Sequence, residues 1–133
     1  MSQDNVEVFR EVIKAINERG ADAGLDLYDP EMEFREDPKF PEATVYRGRD
    51  AVVRNFREFA ASFEYYRFEI EDLREAGRDK VMAVLREQAR GKASGLEVDR
   101  RSGWVATFRH GRALRVEIFL DPADAFEAAG LRE

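Results

Sequence analysis

Few residues in this chain of 133 can do chemistry. There is no cysteine, so disulfides and thiol nucleophiles are excluded. The single histidine, His110, precedes Gly111 between two strand-like runs, where a turn residue is expected. No second histidine and no metal-ligand spacing accompany it. Ser62, Ser94 and Ser102 lack a partner histidine in any recognisable triad motif, and Gly91, Gly95 and Gly103 form no phosphate-binding pattern. Neither a metal nor a cofactor is expected. What remains is carboxylate and guanidinium chemistry. Asp37, directly before Pro38, is one such carboxylate, of the kind that can have a raised pKa at a pocket mouth and shuttle a proton there. The same residue also suits a plain turn, which Asp-Pro pairs often open.

The rest of the composition bounds the setting. Hydrophobic residues make up 44% and charged residues 38%, which describes one globular domain spanning 1–133. Ten Phe, four Tyr and one Trp are enough to fill a core and also to line a cavity. A net charge of −6 argues against nucleic acid as a partner. The Arg100-Arg101 pair is balanced by Glu97 and Asp99 and reads as a solvated loop. No apolar run approaches the roughly 20 residues of a membrane helix. The start, Met1 to Asn5, lacks the basic and apolar segments of a signal peptide, so a cytoplasmic location is the default expectation.

The elements that must position these residues follow from periodicity. Val6, Phe9, Val12, Ile13 and Ile16 recur at helical spacing, with Arg10, Glu11, Lys14 and Asn17 outside and Gly20 at the cap. A short second helix is predicted over Ala21 to Tyr28, closed by Asp29-Pro30. Glu31 to Glu36 alternates, with Met32 and Phe34 buried. Asp37 to Gly48 reads as a loop, and Asp50 as the cap of a helix bearing Val53, Phe56, Ala60 and Phe63. Tyr65 to Ala76, Val81 to Arg90, Leu96 to Arg109 and Leu114 to Leu120 read as four strands. Gly77-Arg78-Asp79 and His110-Gly111 are expected as hairpin turns, and Gly91 to Gly95 as a longer connection. Asp121, Pro122 and Gly130 bracket a closing helix. Helices first and antiparallel strands after them indicate an α+β fold: a cone-shaped, curved antiparallel sheet with helices on its concave face, enclosing a pocket.

On this order and four local matches, the chain resembles the nuclear-transport-factor-2-like superfamily, in its SnoaL-like and ketosteroid-isomerase-like branch. The matches are Tyr28-Asp29-Pro30, Glu36-Asp37-Pro38, Tyr46-Arg47-Gly48-Arg49-Asp50 and Phe119-Leu120-Asp121-Pro122. The resemblance implies a cystatin-like roll whose pocket serves isomerases, cyclases, dehydratases or hydrolases, and in many members no catalysis at all. It places Asp37 at the general-base position of ketosteroid isomerases. Their oxyanion donors, a Tyr and a protonated Asp, fall near Val12 and Trp104, which leaves only the Trp104 indole N–H as a donor.

The same alignment turns Met82, Val84, Arg86 and Gln88 inward, with Trp104, Ala106 and Phe108, and then Arg115, Glu117 and Phe119. Arg86, Arg115 and Glu117 would then form a buried cluster able to hold an anionic ligand, walled by Trp104, Phe119 and Tyr46. A one-residue slip instead turns Val116, Ile118 and Leu120 inward and leaves the charges at the surface. Two functions are carried forward. One is a non-catalytic pocket for a small apolar or mildly anionic molecule; the other is a cofactor-free acid–base enzyme acting on a small carbonyl compound with Asp37 as base. A homodimer is expected through an outer sheet face bearing Val81, Ala83, Leu85, Val105 and Thr107.

Overall fold

In the computed structural model, which describes residues 2–132 other than Gly20, α1 spans Ser2–Arg19 and a short 3-10 helix spans Ala21–Leu27. Six strands and two further helices follow: β1 Tyr28–Arg35, β2 Val45–Arg47, α2 Arg49–Ala61, β3 Phe63–Glu75, β4 Lys80–Gly91, β5 Glu97–Arg109, β6 Arg112–Phe119 and α3 Pro122–Ala128. The strands form one sheet in the order β2-β1-β6-β5-β4-β3. Its pairs run antiparallel except for β1 with β6, which are parallel. The expected α+β roll is present, with that one parallel pair inside it. Among the described residues, no helix is long and apolar enough to cross a membrane.

The first helix buries Phe9, Val12, Ile13 and Ile16, as its spacing requires, against Trp104, Leu85 and Val116 in the main core. Asn17 does more than face water. Its side-chain amide accepts from the Phe68 N–H at 2.8 Å and donates to the Phe68 carbonyl at 2.7 Å, acting as a one-residue strand on the free edge of β3. The cap expected at Gly20 lies outside the described residues. The predicted closure at Asp29-Pro30 is corrected: both residues lie inside β1. Pro30 is accommodated because the β1–β6 ladder is irregular between Tyr28 and Glu33. Asp50 does not cap α2; Gly48 occupies that position at φ +90, and Asp50 sits in the first turn.

Two layers of helix sandwich the sheet. The inner face carries Val81, Ala83 and Leu85 of β4, Trp104, Ala106 and Phe108 of β5, and Val116 of β6 beneath α1 and α2. On the outer face Met82, Val84 and Val105 pack against Ala125 and Phe126 of α3, with Phe119 alongside. This helix is held at its start by Asp121, whose carboxylate accepts from Ala123 N–H at 2.9 Å, and by Pro122 in the first turn. The surface expected for dimerisation is therefore corrected in its residues. Val81, Ala83 and Leu85 belong to the core, and Val105 lies under α3. His110 and Gly111, both at positive φ (52 and 75), make the two-residue turn between β5 and β6 that their order predicted.

Gly103 is required by this layering. A Cβ there would fall on the Cβ of Ala125 and crowd Pro122. Gly103→Ala should cost roughly 1–3 kcal/mol through overpacking, and an unchanged urea midpoint would show that α3 is not seated on β5. A second prediction concerns Arg109, which donates to both carboxylate oxygens of buried Asp29 (3.1 and 2.9 Å) and to Glu31 (3.0 Å). These bonds, with the Glu31 N–H, hold the Asp29 carboxyl below the usual aspartate range. The stability they supply is present above the unfolded aspartate pKa of about 3.9 and lost as pH falls through the lower folded value. Arg109→Gln should therefore be less stable than the parent at neutral pH, with the gap closing below about pH 3.9. A gap constant across an acid series of denaturation curves would refute this.

Candidate functional site

A cavity of about 120 Å³ opens between the inner sheet face and the helices. Its walls are Ile16 of α1, Phe34 of β1, Phe56 and Phe59 of α2, Tyr66 and Phe68 of β3, Trp104 of β5, Ile118 of β6, and Phe40 from the loop after β1. An adjoining space of about 210 Å³ shares Phe59, Tyr66, Phe68, Glu87 and Arg100 with it and extends to Phe63, Ala89 and Val98. The rings meet at steep angles, with Phe34 and Phe56 5.0 Å apart at 83° and Phe68 and Trp104 5.7 Å apart at 64°. Tyr66 is tied by its hydroxyl, which donates to the Ile16 carbonyl at 2.9 Å, and burial pushes its pKa up. The Trp104 indole N–H donates to Ser102 Oγ at 3.1 Å. The donor expected for an oxyanion is thus already engaged.

The polar groups of the cavity are Glu36, Asn55, Glu87 and Arg100. They come from the pleat. Phe68 of β3, Glu87 of β4 and Arg100 of β5 are paired across three strands and so share one face. The Phe68 backbone is bonded to Asn17 on its far side, so Phe68 and Glu87 are a non-hydrogen-bonded pair with closely approaching side chains. Glu87 is 8% exposed, and its Oε1 lies 3.5 Å from Nη2 of Arg100. The Arg100 guanidinium also lies 5.9 Å from the centre of the Phe40 ring, at the cavity's rim.

The candidate residues read from the sequence divide between the two faces. Trp104 lines the cavity, and Tyr46 stands behind Phe34 at 6.3 Å without lining it. Asp37 is buried but turned from the cavity. One carboxylate oxygen accepts from Lys39 N–H at 3.0 Å and the other from Leu120 N–H at 2.9 Å. It forms the turn and ties it to the end of β6, and the carboxylate that reaches the pocket is its neighbour Glu36.

The proposed Arg86, Arg115 and Glu117 cluster is also corrected. Arg86 makes a two-point bond to Asp99 on the outer face (2.9 and 2.8 Å), and Arg115, 44% exposed, lies 3.8 Å from Glu33. Glu117 is half-buried opposite Arg35, and Phe119 packs toward α3. Met82 and Val84 are outward too. On β6 the slipped alternative holds for Val116, in the core, and Ile118, in the cavity wall. Leu114 is the cause. Thr107 pairs Arg115 and Phe108 pairs Ala113, so Leu114 is an extra, bulged residue that shifts the register by one.

Glu36, Glu87 and Arg100 were missed as site residues. The sequence reads Arg100 with Arg101 as a solvated loop, whereas both lie in β5 and point to opposite faces. The usable signal is parity: Glu36 lies two residues from Phe34, Glu87 two from Leu85, and Arg100 four from Trp104.

Residues 9–116 match the family model of the SnoaL-like domain. No curated protein matches the chain. Bal32a, from a soil-derived mobile gene cassette, superposes with a TM-score of 0.81 at 17% identity, with 96% of each chain covered. A candidate SnoaL-like polyketide cyclase from Jannaschia sp. CCS1 gives 0.78 at 15% identity, covering 98% of this chain and 94% of the other. A protein of ketosteroid-isomerase-like fold from Catenulispora acidiphila DSM 44928, solved in complex with trimethylamine, gives 0.76 at 13% identity, covering 95% and 94%. At these identities the likeness is one of fold.

The bonding of Asp37 makes a prediction. An Asn side chain keeps one acceptor and places its NH₂ against a backbone N–H, so Asp37→Asn should cost about 1–3 kcal/mol in thermal unfolding. Full stability in this variant would return Asp37 to the list of free carboxylates.

Proposed function

This chain belongs to the SnoaL-like domain family, and we propose that it captures a small, largely apolar molecule in the cavity beneath α1 and α2. One observation carries the reading: a wall of aromatic and aliphatic side chains with its charged groups confined to Glu36, Glu87 and Arg100. Such a site removes apolar ligand surface from water at about 25 cal/mol per Å² and orients the ligand through a few polar contacts. An acid–base activity is the second reading, and the presence of both Glu36 and Glu87 in the lining favours it, since two carboxylates reach the cavity. With both oxygens of Asp37 bonded to backbone N–H groups, that chemistry would pass to these glutamates.

The test uses the neutral dye N-phenyl-1-naphthylamine, whose fluorescence rises in apolar surroundings. The protein should bind it with saturable, one-to-one stoichiometry. Asn55→Trp, which projects a bulky ring from α2 into the cavity, should weaken binding by about tenfold or more with the circular dichroism spectrum retained. Undiminished binding by a folded Asn55→Trp would place the dye elsewhere and defeat the proposal.

A further inference from the structure

The charge at the rim of the cavity decides which apolar molecules it favours. With Arg86 and Arg115 on the outer face, the lining holds two carboxylates, Glu36 and Glu87, against one guanidinium, Arg100. The two acids are held differently. Glu36 Oε1 accepts from the Thr44 N–H at 3.0 Å, which fixes it at the loop. The Glu87 side chain is only 11% exposed, and its contact to Arg100, at 3.5 Å, is an ion pair too long for a good hydrogen bond. Arg100 itself is 45% exposed and leans over Phe40, so much of its charge is screened by water. A carboxylate this well covered is costly without close compensation. The compensation present is incomplete.

Glu87 shares the cavity with aromatic rings: Phe68 is its cross-strand neighbour, and Phe34, Phe56, Phe59 and Trp104 line the same space. Ring faces carry negative potential and attract cations, more strongly where water is excluded. A buried carboxylate among such rings suits a positive charge carried on an apolar body.

We propose that the ligand is an organic cation, an amine or quaternary ammonium with a small apolar body, and that Glu87 is its counter-ion. Arg100 neutralises Glu87 while the cavity is empty and opposes the incoming cation. This inference rests on the pocket reading above and gives that pocket a ligand class.

Displacement of the neutral dye by three probes tests it: phenyltrimethylammonium, its uncharged isostere tert-butylbenzene, and benzenesulfonate. The parent protein should prefer the cation to the isostere by about tenfold or more and bind the anion most weakly. Glu87→Gln should abolish the preference, and Arg100→Gln should enlarge it. Equal affinity for cation and isostere, or preference for benzenesulfonate, would overturn the proposal while leaving the pocket reading standing. Retention of the preference in Glu87→Gln would also overturn it. If Glu87→Gln fails to fold, the parent comparison and the direction of the Arg100→Gln effect still decide. Failure of the dye itself to bind would instead defeat the pocket reading.

Discussion

Glu87, Arg100, Trp104 and Ile118, the cavity's lining from β4, β5 and β6, owe their place to the register in which β4 pairs with β5 and β5 with β6. Side chains on a strand alternate between faces, so one residue of offset exchanges the whole inner set for the outer. Ala83 opposite Trp104 and Ile118 opposite Trp104 put three apolar side chains on the inner face and send Arg86, Arg115 and Glu117 out. The same register carries Glu87 and Arg100 inward at the next open row beyond Ser102. Apolar burial enforces it, because a slip would drive Arg86 and Arg115 onto the inner face and take Leu85 and Val81 out of the main core.

Supports outside the sheet keep the site in shape. Asn17 completes the free edge of β3 at Phe68, and Tyr66 reaches back to the end of α1. Asp37 joins the loop carrying Phe40 to the end of β6, next to Ile118. Each of these polar residues satisfies backbone groups that would otherwise lie unpaired beside an apolar cavity. Asp37 therefore contributes to the pocket by holding its wall, and the groups free to meet a ligand are Glu36, Glu87, Asn55 and Arg100. On the outer face α3 covers the apolar patch, while the remaining surface is crossed by ion pairs such as Arg86 with Asp99 and Arg101 with Glu71. Exposed pairs of this kind add little stability but keep the sheet surface polar.

Much of this protein was determined by its sequence alone. The helical spacing of Phe9, Val12, Ile13 and Ile16, the turn at His110-Gly111, the capped helix after Asp121 and the matches around Tyr28, Glu36 and Tyr46 sufficed for the fold and its family. Those signals are local: a period, a positive φ or a cap involves residues close together in the chain. The faces of the strands were decided by tertiary structure, for an equally definite reason. Residues 81–85 are apolar at every position, so their alternation does not mark an inner face. The two-residue turn at His110-Gly111 would have set Trp104 opposite Glu117 had the strands run without interruption. The bulge at Leu114 sets it opposite Ile118. A bulge has no strong residue signature, so nothing near Leu114 in the sequence marks it. That single extra residue keeps Arg115 and Glu117 out of the cavity, while the unbroken β4–β5 register carries Glu87 and Arg100 into it.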